Sequence, residues 1–154
     1  MKTTLKHFSP KQIKSIVESD ARINIWVGAV RSGKSFSSLY RFIQEVIEGP
    51  PGDFAIVGKS ERSIKRNIVT ALYQMLGNTF KYRQGIGEIE LFGRLIYLIG
   101  ANDARSEGKI RGATFAGAYV DEVTILPEQF FNMLLSRLSI ENAKLFGTTN
   151  PDRS

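Results

Sequence analysis

Residues 28–35 read Gly28-Ala29-Val30-Arg31-Ser32-Gly33-Lys34-Ser35 and fill the pattern G-x-x-x-x-G-K-[ST] without a gap. The flanks of this stretch decide the fold. The apolar run 22–27 precedes it. A run over 36–47 comes next, with Phe36, Leu39, Tyr40, Phe42, Ile43, Val46 and Ile47 at helical spacing. A glycine-rich turn before a helix is common by itself. Strand, loop and helix in this order is the context in which the pattern means phosphate binding. Gly28 and Gly33 let the backbone curl so that its N–H groups point inward at a polyphosphate, with the positive end of the helix behind them. Gly28, Ala29, Val30, Arg31, Ser32, Gly33, Lys34, Ser35 and Phe36 are therefore the candidate nucleotide cradle. Lys34 has the reach for the β- and γ-phosphates, and the Ser35 hydroxyl is a candidate ligand for Mg²⁺.

The bulk properties fit one such domain. The chain has 154 residues, 42% hydrophobic and 23% charged, enough for a single α/β core. It has no cysteine, which excludes disulfides and thiolate metal sites and is compatible with a reducing cytoplasm. His7 is the only histidine, so histidine metal clusters and Ser-His-Asp chemistry are excluded too. Residues 1–10 lack the apolar core of a signal peptide. The longest apolar stretch, 95–99, is far too short to span a bilayer. A net charge of +6 and a pI near 9.7 favour a polyanionic partner.

Ser9-Pro10-Lys11-Gln12 has the form of a helix start, with Ser9 as cap, Pro10 in the first turn and Gln12 closing a capping box. Ile13, Ile16 and Val17 share the next face. Strands are expected at 22–27, 54–58, 79–83, 88–92, 95–99, 115–120 and 143–148. Helices are expected at 36–47, 61–76 and 127–138, with 103–110 a short helix or an ordered loop. Gly93-Arg94 suits a two-residue hairpin with glycine first. Trp26 reads as core, and Tyr82 and Tyr97 as packing residues. Strands alternating with helices imply a mostly parallel sheet flanked by helices, with the antiparallel hairpin at an edge or as a small excursion.

Phe115-Ala116-Gly117-Ala118-Tyr119-Val120-Asp121-Glu122 is an apolar strand that ends in two carboxylates, the form of a Walker B motif. Its carboxyl end falls where an open α/β sheet meets its ligand. Asp121 is the second candidate metal ligand, opposite Ser35. Glu122 is the candidate base for a water attacking the γ-phosphate. The adjacent glutamate marks NTPases that carry their own catalytic acid. A third apolar strand, Leu145-Phe146-Gly147-Thr148-Thr149-Asn150-Pro151, ends in hydroxyl and amide groups able to hydrogen-bond a γ-phosphate or its attacking water. A plain strand-to-turn junction has the same composition.

Together these motifs resemble the large terminase subunit of tailed bacteriophages, over nearly the whole chain from Gln12 to Pro151. The resemblance rests on the arginine-containing phosphate loop, Ile110-Arg111-Gly112 shortly before Val120-Asp121-Glu122, and Thr148-Thr149-Asn150-Pro151. It implies a RecA-like ATPase core of the additional-strand, catalytic-glutamate type, using ATP and Mg²⁺ to package double-stranded viral DNA into a procapsid. Thr148, Thr149 and Asn150 would be the coupling motif. Arg31 would act in cis and Arg111 on a neighbouring subunit's ATP, beside Glu122. Gln12 would read adenine, a role that stands beside its capping role. The implied partners are the portal protein, the small terminase subunit and further copies in a ring assembled transiently on the procapsid, in the cytoplasm of an infected or lysogenic bacterium, with no membrane.

That family's large subunits continue into a ribonuclease-H-like nuclease. Here the chain stops directly after the coupling motif. The expectation is a single N-terminal ATPase domain over 1–154, truncated, without the nuclease and with weak activity in isolation. Lys59, Arg62, Lys65 and Arg66 cluster at one helix start, either to track a nucleic-acid backbone or as a solvated face. Arg105 and Lys109 flank the proposed finger and suit either a neighbouring subunit or a mobile surface. Two other classes share parts of the pattern: a helicase or other RecA-like translocase, which needs a second lobe or ring contacts, and a non-hydrolysing nucleotide-regulated assembly module, against which Glu122 argues.

Overall fold

Seven strands form one sheet in the order β1-β7-β6-β2-β5-β4-β3, in a computed structural model that describes residues 8–28 and 33–150. The elements are α1 (Pro10–Glu18), β1 (Ile23–Val27), α2 (Lys34–Glu48), β2 (Asp53–Gly58), α3 (Glu61–Ile64), a π-helical turn (Lys65–Val69) and α4 (Thr70–Leu76). They continue with β3 (Lys81–Arg83), β4 (Glu88–Leu91), β5 (Arg94–Gly100), α5 (Ser106–Ile110), β6 (Phe115–Val120), a 3₁₀ turn (Val123–Ile125), α6 (Glu128–Arg137) and β7 (Lys144–Thr149). β1, β7, β6, β2 and β5 run parallel, and β4 and β3 complete one edge in antiparallel pairing. The expected antiparallel segment is therefore an extension of the sheet's edge.

The central strands are apolar throughout because helices cover both faces. β6 is buried at all its positions. On β2, Phe54 and Ile56 face one core layer with Leu39, Phe42, Ile43, Ile64, Ile68 and Leu72, while Ala55 and Val57 face the other with Leu126, Leu134 and Leu138. Phe42 sits at the centre of the first layer, with ring centroids 5.9 Å from Phe54, 5.6 Å from Tyr119 and 6.4 Å from Phe146. Burying such a ring contributes on the order of 2–3 kcal/mol. A bulge in β6 breaks the alternation: Asp53 pairs with Phe115 but Phe54 with Gly117, leaving Ala116 as the extra residue. Gly117 makes room for this, since a β-carbon there would lie 2.7 Å from the Phe54 ring. The bulge sets the register that carries Tyr119, Val120 and Asp121 to the sheet's edge.

The elements depart from expectation in five places. The hairpin turn is Phe92-Gly93, not Gly93-Arg94: both residues have positive φ, 50° and 78°, and Leu91 pairs with Arg94. Arg94 stays in β5 because its guanidinium donates to the carbonyls of Pro50 (2.6 Å), Gly49 (3.1 Å) and Gly52 (3.3 Å), and lies over the Phe54 ring. The helix expected at 61–76 carries a π-helical turn in its middle. Val17 is 74% exposed although Ile16 is buried, because α1 meets the domain through a narrow stripe. Trp26 is half-buried at the core's margin, its indole N–H donating to Ser15 Oγ at 3.1 Å. Phe36 and Ile47, at the two ends of α2, are likewise 41% exposed. Tyr82 and Tyr97 pack on the two core layers as expected. No helix among the described residues is long and apolar enough to cross a membrane.

Candidate functional site

The parallel strands β1, β7, β6 and β2 all end on the same side of the sheet, and the three motifs meet there. A cleft of about 650 Å³ is lined by Lys34, Ser35 and Phe36 from α2, Asp121 and Glu122 after β6, Thr148 and Asn150 from the end of β7, and Lys59, Arg66 and Asn67 beyond β2. Ala29, Val30, Arg31 and Ser32 lie outside the described residues, and so does Pro151.

Local bonding fixes each remaining part. Gly28 N–H donates to the Thr149 carbonyl at 3.3 Å, continuing the β1–β7 pairing into the loop. The Lys34 ammonium donates to the carbonyl of Gly28 and, at 2.6 Å, to that of Thr149. It thereby ties the phosphate loop to the third motif. Gly33 has φ +82° and caps α2. Its carbonyl accepts from Ser37 N–H and, at 3.3 Å, from the Gln12 side-chain amide. Gln12 also completes the expected capping box, accepting from Ser9 N–H at 2.8 Å while its own N–H donates to Ser9 Oγ. One amide group thus caps α1 and touches the start of α2 at Gly33.

The carboxylates differ in environment. Asp121 N–H pairs with the Val57 carbonyl at 2.8 Å, so the residue still belongs to the sheet. Burial raises its pKa above the usual aspartate value. The Asn67 hydrogen bond opposes this, the Glu122 charge adds to it, and Lys34 and Arg66 offset part of the cost. Glu122 has φ +64° and ψ +76°, a left-handed conformation that costs a side-chain-bearing residue about 1–2 kcal/mol. Four hydrogen bonds hold it there, one of them donated by Ile125 N–H to the Glu122 carbonyl at 3.2 Å. Glu122 N–H donates to Thr148 Oγ1 at 3.1 Å, while its Oε1 accepts from Asn150 N–H at 3.1 Å and from the Thr124 hydroxyl at 2.8 Å. Oε2 has no protein donor among the described residues.

Sequence reasoning missed three groups here. The Ser38 hydroxyl and the Tyr119 hydroxyl, both buried, are 2.9 Å apart, and the Thr148 hydroxyl lies near the phenol. This chain of contacts runs from α2 through β6 to β7 and Glu122. Burial raises the Tyr119 pKa, keeping the phenol neutral. The third group is Asn67, whose amide donates to Asp121 Oδ2 at 3.1 Å. A tyrosine inside an apolar strand and an asparagine within a helix carry no motif signal.

The basic cluster divides. Lys59 and Arg66 line the cleft, Lys65 reaches out to Gln84 Oε1 at 3.0 Å, and Arg62 is exposed. Arg111 lies outside the cleft, its side chain 71% exposed and paired with Glu107. Arg105 and Lys109 are anchored rather than mobile. Arg105 grips Glu61 with two bonds of 2.7 Å, and Lys109 donates to the Leu98 carbonyl at 2.8 Å.

Ser35 and Asp121 line the same cleft and offer only hard oxygen donors. No group of three or more His, Cys, Asp or Glu residues that could cage an ion occurs among the described residues. An ion held by one hydroxyl and one desolvated carboxylate would take its other ligands from phosphate and water, which is the habit of Mg²⁺. The donor set fits that ion.

A phosphate-loop lysine facing strand-end carboxylates at the carboxyl edge of a mostly parallel sheet defines a RecA-like P-loop NTPase fold. The family model for the N-terminal part of the T4likevirus-type terminase large subunit matches residues 25–154, and the chain belongs to that family. Among solved structures, the large terminase of a thermophilic bacteriophage superposes with a TM-score of 0.81 at 29% identity, covering 94% of this chain and 39% of that one. The same phage protein in complex with ATP-gamma-S gives a TM-score of 0.74 at 28% identity, over 93% of this chain and 37% of that one. The large terminase ATPase domain of Thermus phage P74-26 shares the fold, with a TM-score of 0.67 at 15% identity over 90% of this chain and 62% of that one. The chain thus spans about two fifths of the length of the first of these terminases. The comparison with curated proteins gives no match.

Proposed function

We propose that this chain is an ATP-hydrolysing N-terminal domain of a motor that drives viral double-stranded DNA into a procapsid, working in the cytoplasm of the bacterial host. The observation that carries the reading is the junction at Glu122, where the candidate base is hydrogen-bonded to both Thr148 and Asn150 of the candidate coupling motif. Family membership and the ADP and ATP-gamma-S complexes of the thermophilic phage's terminase support the same choice.

Lys34 and the N–H groups of residues 28–36 bind the polyphosphate, with Gln12 at the loop's edge. Ser35 and Asp121 would hold Mg²⁺, which when bound neutralises charge on the β- and γ-phosphates. Glu122 orients the attacking water and takes its proton through Oε2, the oxygen left without a protein donor. Loss of the γ-phosphate alters the surroundings of Glu122, and Thr148 and Asn150 pass that change to the end of β7. Arg111, exposed and outside the lining of its own cleft, serves the nucleotide of a neighbour in a ring. Arg31 is the cis candidate. Arg62 and Lys65 are the outward cations placed to meet DNA. The portal protein and the small terminase subunit are the remaining partners.

Turnover by the isolated chain should be slow and should rise with concentration as subunits meet, because a trans-acting arginine contributes on the order of 10³-fold in rate. Glu122→Gln should retain Mg²⁺-ATP binding and lose on the order of 10²-fold or more in hydrolysis. In the full-length motor, Arg111→Ala should bind ATP but not turn it over. Mixing it with Glu122→Gln subunits should restore activity, since an arginine from one subunit meets an intact site on the other. A mixed ring that assembles and stays inactive removes the trans role from Arg111.

A further inference from the structure

One wall of the cleft is formed by the π-helical turn Lys65–Val69. Its closing bond is explicit: Thr70 N–H donates to the Lys65 carbonyl, and the Thr70 hydroxyl donates to the same carbonyl at 3.2 Å. Such insertions rotate the succeeding residues out of α-helical register and recur at functional sites. Here the turn presents Arg66 and Asn67 to the cleft. Asn67 is exposed and adds nothing to the core. Its bonds point toward the site instead: Nδ2 donates to Asp121 Oδ2 at 3.1 Å, and Oδ1 accepts from Arg66 Nε at 3.5 Å. A carboxamide can offer an acceptor to a guanidinium and a donor to a carboxylate from one planar group. Asp121 Oδ1 has no protein donor among the described residues.

We infer that Asn67 is a positioning residue for the metal–nucleotide complex: its amide pins one oxygen of Asp121 and leaves the other for Mg²⁺. The inference rests on the nucleotide site proposed above and adds to it the group that orients the metal's carboxylate. Groups that orient a metal ligand from behind contribute about 10–100-fold to metal affinity. Asn67 reaches the metal through Asp121, and its bond to Arg66 is long and exposed, so its main effect belongs in the Mg²⁺ dependence of nucleotide binding and not in the fold.

The test titrates Mg²⁺ into the chain with a fluorescent ADP analogue and reads bound nucleotide rather than turnover. For Asn67→Ala the half-saturating Mg²⁺ concentration should rise on the order of tenfold. Analogue binding in EDTA and the melting temperature without nucleotide should stay at the parent values. In an Asp121→Asn background, Asn67→Ala should shift the midpoint by less than about twofold, because the carboxylate it positions is gone. An unchanged midpoint in the single variant, or full additivity with Asp121→Asn, overturns the assignment of Asn67 while the nucleotide site stands. If the unsubstituted chain binds the analogue no better in Mg²⁺ than in EDTA, the metal–nucleotide site itself fails and takes this inference with it.

Discussion

Thr148→Val removes one hydroxyl and preserves shape, so its effect can be worked from one hydrogen bond and one neighbouring phenol. Thr148 is 2% exposed, and water does not readily replace what the hydroxyl provides. The first loss is the acceptor for Glu122 N–H, at 3.1 Å. A buried donor left unpaired costs about 1–3 kcal/mol. The second loss is the contact with Tyr119, which is smaller because Tyr119 keeps Ser38 at 2.9 Å. The left-handed backbone of Glu122 adds to the first loss, since one of the bonds that hold it there is gone. The expected loss is about 2–3 kcal/mol, measured by urea denaturation without nucleotide. Tyr119→Phe alone should cost only about 0.5–1.5 kcal/mol, and the two changes together should cost less than their sum because the two hydroxyls are neighbours. ATP turnover should fall in Thr148→Val even where most of the protein is folded, because the candidate base loses its anchor. A Thr148→Val protein within about 0.5 kcal/mol of the parent would refute the reasoning, because Glu122 would then be held by something other than this hydroxyl.

Lys34→Ala should abolish ATP binding in calorimetry and free the carbonyls of Gly28 and Thr149; full binding with normal turnover would refute the assignment of this loop. Glu61 gives a pH prediction. Burial alone would raise its pKa, but the Arg105 hydrogen bonds and the Lys109 and Arg105 charges outweigh it and hold the carboxyl below its ordinary 4.5. A depressed carboxylate contributes stability above its unfolded pKa and loses it as pH falls through the folded value. The melting-temperature gap between the parent and Glu61→Gln should therefore be widest at neutral pH and close progressively below about pH 4.5, whereas a gap that is constant with pH would show that the charge plays no part.

The sheet was legible because its signals are local and strong. Apolar runs such as 54–58 and 115–120 have no polar face to hide, so their burial follows from composition alone. The phosphate loop and the Asp121-Glu122 strand end are spacings, and spacing survives folding. The features that escaped the sequence depend on contacts distant in the chain. Arg94 holds the hairpin in register by reaching the carbonyls of residues 49, 50 and 52, and no local rule places Phe92 at positive φ. The π-helical turn has no compositional mark, since its residues suit an α-helix equally well. Arg105 and Lys109 looked like free surface cations because their common partner, Glu61, lies some forty positions earlier in the chain.

The most consequential contact of this kind is the one between the two strand ends. Thr148 and Glu122 are candidates for different tasks when read along the chain, one for coupling and one for catalysis. The pairing of β6 with β7 puts them side by side, and the backbone of Glu122 is bonded to the side chain of Thr148 while the side chain of Glu122 is bonded to the backbone of Asn150. Neither residue can shift without altering the other's hydrogen bonds. The Lys34 bond to the Thr149 carbonyl brings the phosphate loop into the same set. In the proposed motor, then, coupling needs no long pathway. A change at the γ-phosphate reaches the end of β7 through two direct bonds at Glu122 and one at Lys34, and the regular parallel pairing of β6 with β7, Val120 opposite Gly147, is what brings those strand ends together.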